Sequence, residues 1–212
     1  MITSLVIRSW LLVLGSFPAV AVEIQQPLGL LVQLPDVYRD QNACPFECCS
    51  YGEWVVTEPT VLYRTPNNLE PVTELNRCQE VQAITGEIHV VPNPARVIST
   101  FVDDLGNRFT VGERFYLLAS RGEGFFLAWA QGVLFEMDGG WVMSASDCRR
   151  NRQCWATLEG EPGHGQWWIL LQADHGQRGW TNQPNFDGQD LCAVPRIQCD
   201  QIDSGISSAE SK

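Results

Sequence analysis

The chain has 212 residues and a formal net charge of −11, enough length for one sizeable domain or two small ones with a real core. With 14 Lys and Arg against 25 Asp and Glu, no basic surplus exists to neutralise phosphates, which excludes generic nucleic-acid binding. Acidity on this scale favours solubility and discourages approach to anionic lipid.

Residues 1–21 read as a secretion signal. Arg8 is the only charged residue before Glu23, Trp10-Leu11-Leu12-Val13-Leu14 opens a short apolar run, and Ala19-Val20-Ala21 after Pro18 suits cleavage. The alternative is an uncleaved anchor, but the run is shorter than the ~20 apolar residues a span needs. A membrane is expected as a partner only through this segment. Residues 22–43, interrupted by Pro27 and Pro35, read as an extended arm lying on the domain, or as a linker.

Cys44, Cys48, Cys49, Cys78, Cys148, Cys154, Cys192 and Cys199 follow the signal, and in an exported chain they read as disulfides. Cys148 and Cys154 bracket a short polar loop and are the first expected pair. A vicinal Cys48–Cys49 bridge would be strained, so each is expected to seek a distant partner. Cys44 or Cys48 joined to Cys192 would tie the start of the folded region to its end. The spacing C-x3-C-C, without a second such cluster or a nearby histidine, does not suit a metal site.

From Trp54 onward the pattern is β. Trp54-Val55-Val56 and Val61-Leu62-Tyr63 are short strand-like runs. The stretches 70–75 and 80–87 alternate apolar and polar residues, as half-buried strands do. Gly124 to Trp129 and Val133 to Glu136 flank Gln131-Gly132, a hairpin signal. A short helical turn is expected over Ser144 to Asp147. Trp141 to Gly165 is otherwise loop-like, Gln166 to Thr181 forms a second hairpin turning at Asp174-His175-Gly176, and 200–212 read as a disordered tail. The expected class is all-β, in small disulfide-stabilised barrels.

Trp167-Trp168 through Gly179-Trp180 resembles the terminal hairpin of bacterial SH3-like domains, small β-barrels common in exported and cell-wall proteins. Gly124-Phe125-Phe126 through Phe135 resembles it more loosely. Val61 to Pro66 resembles that family's early strand, and Glu80 to Glu87 its central strand. Cys44 to Trp54 is similar to the start of a little-characterised group of exported bacterial SH3-domain proteins. The pairs Cys148/Cys154 and Cys78/Cys199 lie outside the generic pattern. Two packed units sharing one core, 44–138 and 139–199, are the expected organisation. The alternative is a single barrel with a long insertion from Ile88 to about Gly165, which the residues after 139 would complete.

The resemblance implies a non-catalytic binding module for a cell-wall peptide or an envelope protein. A groove would be walled by Tyr63, Trp168 and Trp180, since adjacent Trp167 and Trp168 must face opposite sides of a strand. Alternatives are a cysteine-dependent or degenerate cell-wall hydrolase using Cys44, Cys48 or Cys49, and a structural envelope protein. No fingerprint for a cofactor, a phosphate loop or a nucleophile elbow occurs. His164 and His175 suit exposed loops. Asp103-Asp104, Glu136 with Asp138, and Glu159 with Glu161 read as carboxylates of solvated turns.

Overall fold

The computed structural model describes residues 22–150, 153–160, 165–194 and 199. The expected signal, the tail, Glu161 and His164 lie outside the described residues. Six strands come first: β1 (Pro27–Leu30), β2 (Tyr38–Gln41), β3 (Gly52–Val56), β4 (Thr60–Thr65), β5 (Asn68–Leu75) and β6 (Glu80–Val90). Then follow β7 (Asn93–Val97), β8 (Phe101–Val102), β9 (Arg108–Phe109), β10 (Arg114–Gly122), β11 (Phe125–Ala130), β12 (Val133–Asp138) and β13 (Val142–Met143). After the helix α1 (Ala145–Arg150) come β14 (Ala156–Leu158), β15 (Gln166–Gln172), β16 (Arg178–Thr181) and β17 (Phe186–Asp187).

Local chemistry explains the turns between them. Gln131 and Gly132 both take positive φ, the geometry that matches strand twist in a two-residue hairpin, and Ala130 faces Val133 across it. Asp174 to Gly176 turns β15 into β16 with His175 at φ 62°. Ser144 Oγ accepts from the Asp147 amide at 3.2 Å and so starts α1 as its cap.

The strands form an all-β structure of two large sheets. One runs β1-β12-β11-β10-β7-β14-β13, the other β17-β3-β6-β15-β16-β4-β5 with β2 also on β6. Apart from β1, and from β8 and β9, which pair with each other in a small third sheet, sheet membership changes after β6 and again before β15, not near Asp138–Gly140. The large-sheet strands within residues 93–158 therefore supply one sheet, joined by β1 from the arm, and the flanking segments supply the other. No closed barrel forms among the described residues, which corrects that part of the sequence expectation. A barrel needs its first and last strands paired, whereas here β1, β13, β17 and β5 each end a sheet.

Three cores result. Phe109, Phe115, Phe135, Met137 and Trp155 fill one, on one face of the first sheet. Trp54, Val56, Leu62, Leu75, Ile169, Leu171 and Phe186 fill the second, inside the other sheet. Leu118, Ala119 and Leu127 meet Ala43, Ile88 and Val90 in the third, between the sheets. This sandwiching explains why Leu117, Leu118 and Ala119 of β10 are consecutively buried: a strand covered on both faces loses its polar alternation.

β6 serves two of these cores because it carries a bulge. Leu170 faces Thr85 and Leu171 faces Ala83, leaving Ile84 as the extra residue that reverses the alternation. Val81 and Ala83 then enter the second core, while Ile88 and Val90 enter the one between the sheets.

Four cysteine pairs lie at disulfide distance, with Cα separations between 5.3 and 5.7 Å: Cys44–Cys49, Cys48–Cys192, Cys78–Cys199 and Cys148–Cys154. Cys48 reaches a distant partner, but Cys49 does not. Positive φ at Cys48 doubles the chain back and brings Cys49 to Cys44. Beside this loop the Ala43 carbonyl accepts from Tyr51 Oη at 2.5 Å and from Trp167 Nε1 at 3.0 Å. Burial pushes the Tyr51 hydroxyl above its ordinary pKa, so it stays a neutral donor. Gly86 lies directly under this junction: a Cβ there would collide with Trp167 Nε1 and come within 2.6 Å of Tyr51 Oη.

Asp40 of β2 and Arg121 of β10 make a bidentate pair at 2.6 and 3.1 Å between the sheets. The Asp40 side chain is 7% exposed and that of Arg121 32%.

Two stability outcomes follow, both measurable by urea unfolding. Gly86→Ala should cost about 3 kcal/mol through overpacking and loss of a carbonyl partner. Arg121→Ala should cost about 3 kcal/mol, because it strands a buried carboxylate. Asp40→Ala should cost clearly less, since its widowed guanidinium reaches water. Equal losses would show that burial of the carboxylate does not govern the pair.

Candidate functional site

Gly179 is where the sheet geometry creates an aromatic surface. A Cβ there would meet Leu62 Cβ at 2.7 Å and the Tyr63 carbonyl at 3.1 Å, so glycine lets β16 press against β4. Trp180 is thereby set opposite Tyr63. The opposite alternation sends Leu62, Ile169 and Leu171 into the core behind.

Register extends this surface across five strands. Leu170 faces Trp180 on β15, Trp168 faces Glu87 on β6, and His89 faces Arg39 on β2. Gln172 faces Arg178 at the other end, where Arg178 Nε donates to Gln172 Oε1 at 2.7 Å. Arg39 on β2 and Arg178 on β16 thus lie on the same face as the aromatic residues. Tyr63 and Trp168 meet edge to face with centroids 6.5 Å apart, and His89 lies 6.4 Å from Trp168. His89 Nε2 and Glu87 Oε2 are 2.8 Å apart, which fixes the imidazole.

Tyr63, Trp168 and Trp180 therefore do come together, but in different roles. Trp168 is 5% exposed and forms the floor of the row, whereas Tyr63 and Trp180 are half-buried and present ring surface. Trp167, on the other face, packs against Tyr51, Trp54 and Phe46. His89 and Glu87 had no sequence signal as site residues. They lie two residues apart on one face of β6, and it is β15 and β2, on its opposite edges, that set them beside Trp168 and Arg39.

Two open cavities, about 440 and 340 Å³, share Phe46 as a wall. The larger is bounded by Phe186, Leu191 and Val194, the smaller by Arg121, Phe125 and Glu136. Cys48, Cys192 and Asp190 form the one grouping of three potential metal donors among the described residues, but its two sulfurs are joined to each other. No described cysteine is free.

The carboxylates are more varied than solvated turns would be. Asp103 is buried, accepting from the amides of Leu105, Asn107 and Asp138 and from Asn107 Nδ2. Asn107 completes the junction by accepting from the Gln25 amide and donating to the Glu136 carbonyl. This corrects the expectation of a solvated Asp103, for an acceptor holding four donors no longer needs water. Asp104 is exposed. Glu159 bonds both Arg96 and Arg114. Burial pushes its carboxyl up, but these arginines together hold it below the usual range.

Glu113 is the unusual member. It is buried, accepts from the Thr110 amide through Oε2, and has no partner for Oε1 among the described residues. Burial raises its pKa, partly offset by the Thr110 bond.

No family model, curated protein or solved structure matches the chain.

A raised pKa in the folded state means that folding holds the Glu113 proton more tightly than the unfolded chain does. The contribution is present below the unfolded pKa and is lost as pH rises through the folded value. Glu113→Gln should therefore raise the melting temperature at pH 7 and not at pH 4, as followed by thermal unfolding at both pH values.

Proposed function

We propose that the protein is a non-catalytic binding module of SH3-like build that works in an oxidising, exported compartment. Its ligand is a cell-wall peptide or a segment of an envelope protein. Three of the segments that resemble the SH3-like pattern become β4, β6 and the β15–β16 hairpin, which stand as adjacent strands in the order β6-β15-β16-β4 around one core, whereas the looser match, Gly124 to Phe135, falls on β11 and β12 of the other sheet. The four paired cysteine couples support the compartment. They also leave no described thiol free for a cysteine nucleophile.

The observation that carries the binding role is the Tyr63–Trp180 pair. Two half-buried aromatic residues face each other across β16 and β4, Tyr63 meets the buried Trp168 edge to face, and Arg178 and the Arg39–His89–Glu87 group lie on the same face of the sheet. Aromatic rings offer large contact area at low entropic cost, and the flanking arginines suit the carboxylates of a peptide.

Titrating peptidoglycan stem peptides while following tryptophan fluorescence tests this. A saturable change is expected, weakened about tenfold by Trp180→Ala or Tyr63→Ala, roughly 1.4 kcal/mol, with the melting temperature held. A flat titration would remove the cell-wall peptide as ligand.

A further inference from the structure

In a chain so rich in acids, most arginines are answered by a carboxylate. Arg64, Arg96, Arg108, Arg114, Arg121 and Arg150 each meet one, at 2.5–3.6 Å. Arg178 of β16 has no carboxylate partner among the described residues. It is held instead by a neutral group, for Nε donates to Gln172 Oε1 at 2.7 Å across the β15–β16 pair. The nearest carboxylate along the chain is Asp174 in the turn, whose Oδ2 accepts from Gln79 Nε2 at 3.5 Å. Arg39, Arg77 and Arg149 also lack a carboxylate, but no side chain among the described residues holds them in place.

A guanidinium anchored through Nε keeps its orientation while both Nη groups stay free. They form the end-on fork with which arginine grips the two oxygens of one carboxylate. Arg178 and Trp180 stand two residues apart on one strand, so their side chains leave the same face about 7 Å apart. Trp180 in turn faces Tyr63. The neighbours of this group on β15, Gln172 and Leu170, are uncharged. The net charge of −11 repels an anion from afar, but at physiological salt that field is damped over about 8 Å. At contact the unanswered guanidinium governs.

We infer that Arg178 is the specificity-determining residue of the ring surface. It takes a carboxylate of the bound peptide next to the group that packs on Tyr63 and Trp180, and Gln172 is the positioning residue that aims it. This rests on the ring pair being a peptide-binding surface and adds the rule by which peptides are selected. The rings give contact to any peptide of suitable bulk. The guanidinium rejects one whose carboxyl is masked, because amidation removes the charge and one of the two acceptor oxygens. A chain terminus and an internal carboxyl group offer the same chemistry.

Calorimetric titration tests this on the native chain, Arg178→Gln, Arg178→Lys, Gln172→Leu and Trp180→Ala. The probes are a peptidoglycan stem peptide with its carboxyl groups free, the same peptide amidated only at its C-terminus, and the same peptide amidated only at its internal carboxyls. At least one amidated form should bind the native chain about tenfold more weakly than the free peptide, and which one does so names the carboxylate. Arg178→Gln should bind all three alike. Arg178→Lys should fall between, since lysine keeps the charge without the fork, and Gln172→Leu should lose part of the preference with the charge intact. Trp180→Ala should weaken all three by one common factor and leave the preference. A native chain that binds the three peptides alike overturns the inference while the binding surface stands, as does a preference that survives Arg178→Gln. No binding of any of the three overturns the binding reading and the inference together.

Discussion

The carbonyl of Ala43 is the point through which the parts of this structure are joined. Its two lone pairs are taken by Tyr51, just after the cysteine loop, and by Trp167, at the start of the closing hairpin. The Ala43 amide in turn donates to the Gly86 carbonyl at 3.1 Å. One backbone unit thus fixes three segments widely separated in sequence, over a glycine whose missing side chain makes the approach possible. Each bond alone is worth about 1 kcal/mol net. Their importance is positional, because they set Trp167 between two cores and leave Trp168 facing the other way.

From there the candidate surface follows. Strand alternation makes the tryptophan pair a two-sided element, one ring for internal cohesion and the other as a support for Tyr63 and Trp180. The same closure that stabilises the sheet therefore also arranges the outer face, and the inner and outer sets cannot be altered independently. Gly86 and Gly179 act alike here. Neither has the left-handed backbone that usually demands glycine, and both are required by close approach.

What the sequence made legible was local. The Gln131-Gly132 and Asp174-His175-Gly176 turns, a helical turn near Ser144 to Asp147, though not its extent to Arg150, and the short Cys148–Cys154 loop each depend on neighbours within a few residues. What it concealed was set by distant partners. Nothing around Asp103 announces burial, since its donors include Asp138 and the junction is completed by Gln25 from the arm. The triple apolar run in β10 does not reveal that a second sheet covers it. Ile84 reads as one member of an alternating strand, although it is the residue that breaks the alternation. The Tyr63, Trp168 and Trp180 grouping was legible as three residues, but the burial of Trp168 depends on strands far away in the chain.

The wiring of the cysteines imposes an order in time. Cys44–Cys49 and Cys148–Cys154 close loops of sequence separation 5 and 6, whereas Cys48–Cys192 and Cys78–Cys199 span 144 and 121. A chain made from its N-terminus exposes Cys44, Cys48 and Cys49 long before Cys192 exists. During that interval Cys48 is an unattached thiol next to a newly formed bridge, placed to attack it and exchange partners. Were the chain oxidised as it is made, thiol–disulfide exchange at the cysteine loop would let Cys48 be released from a wrong bridge once Cys192 arrives.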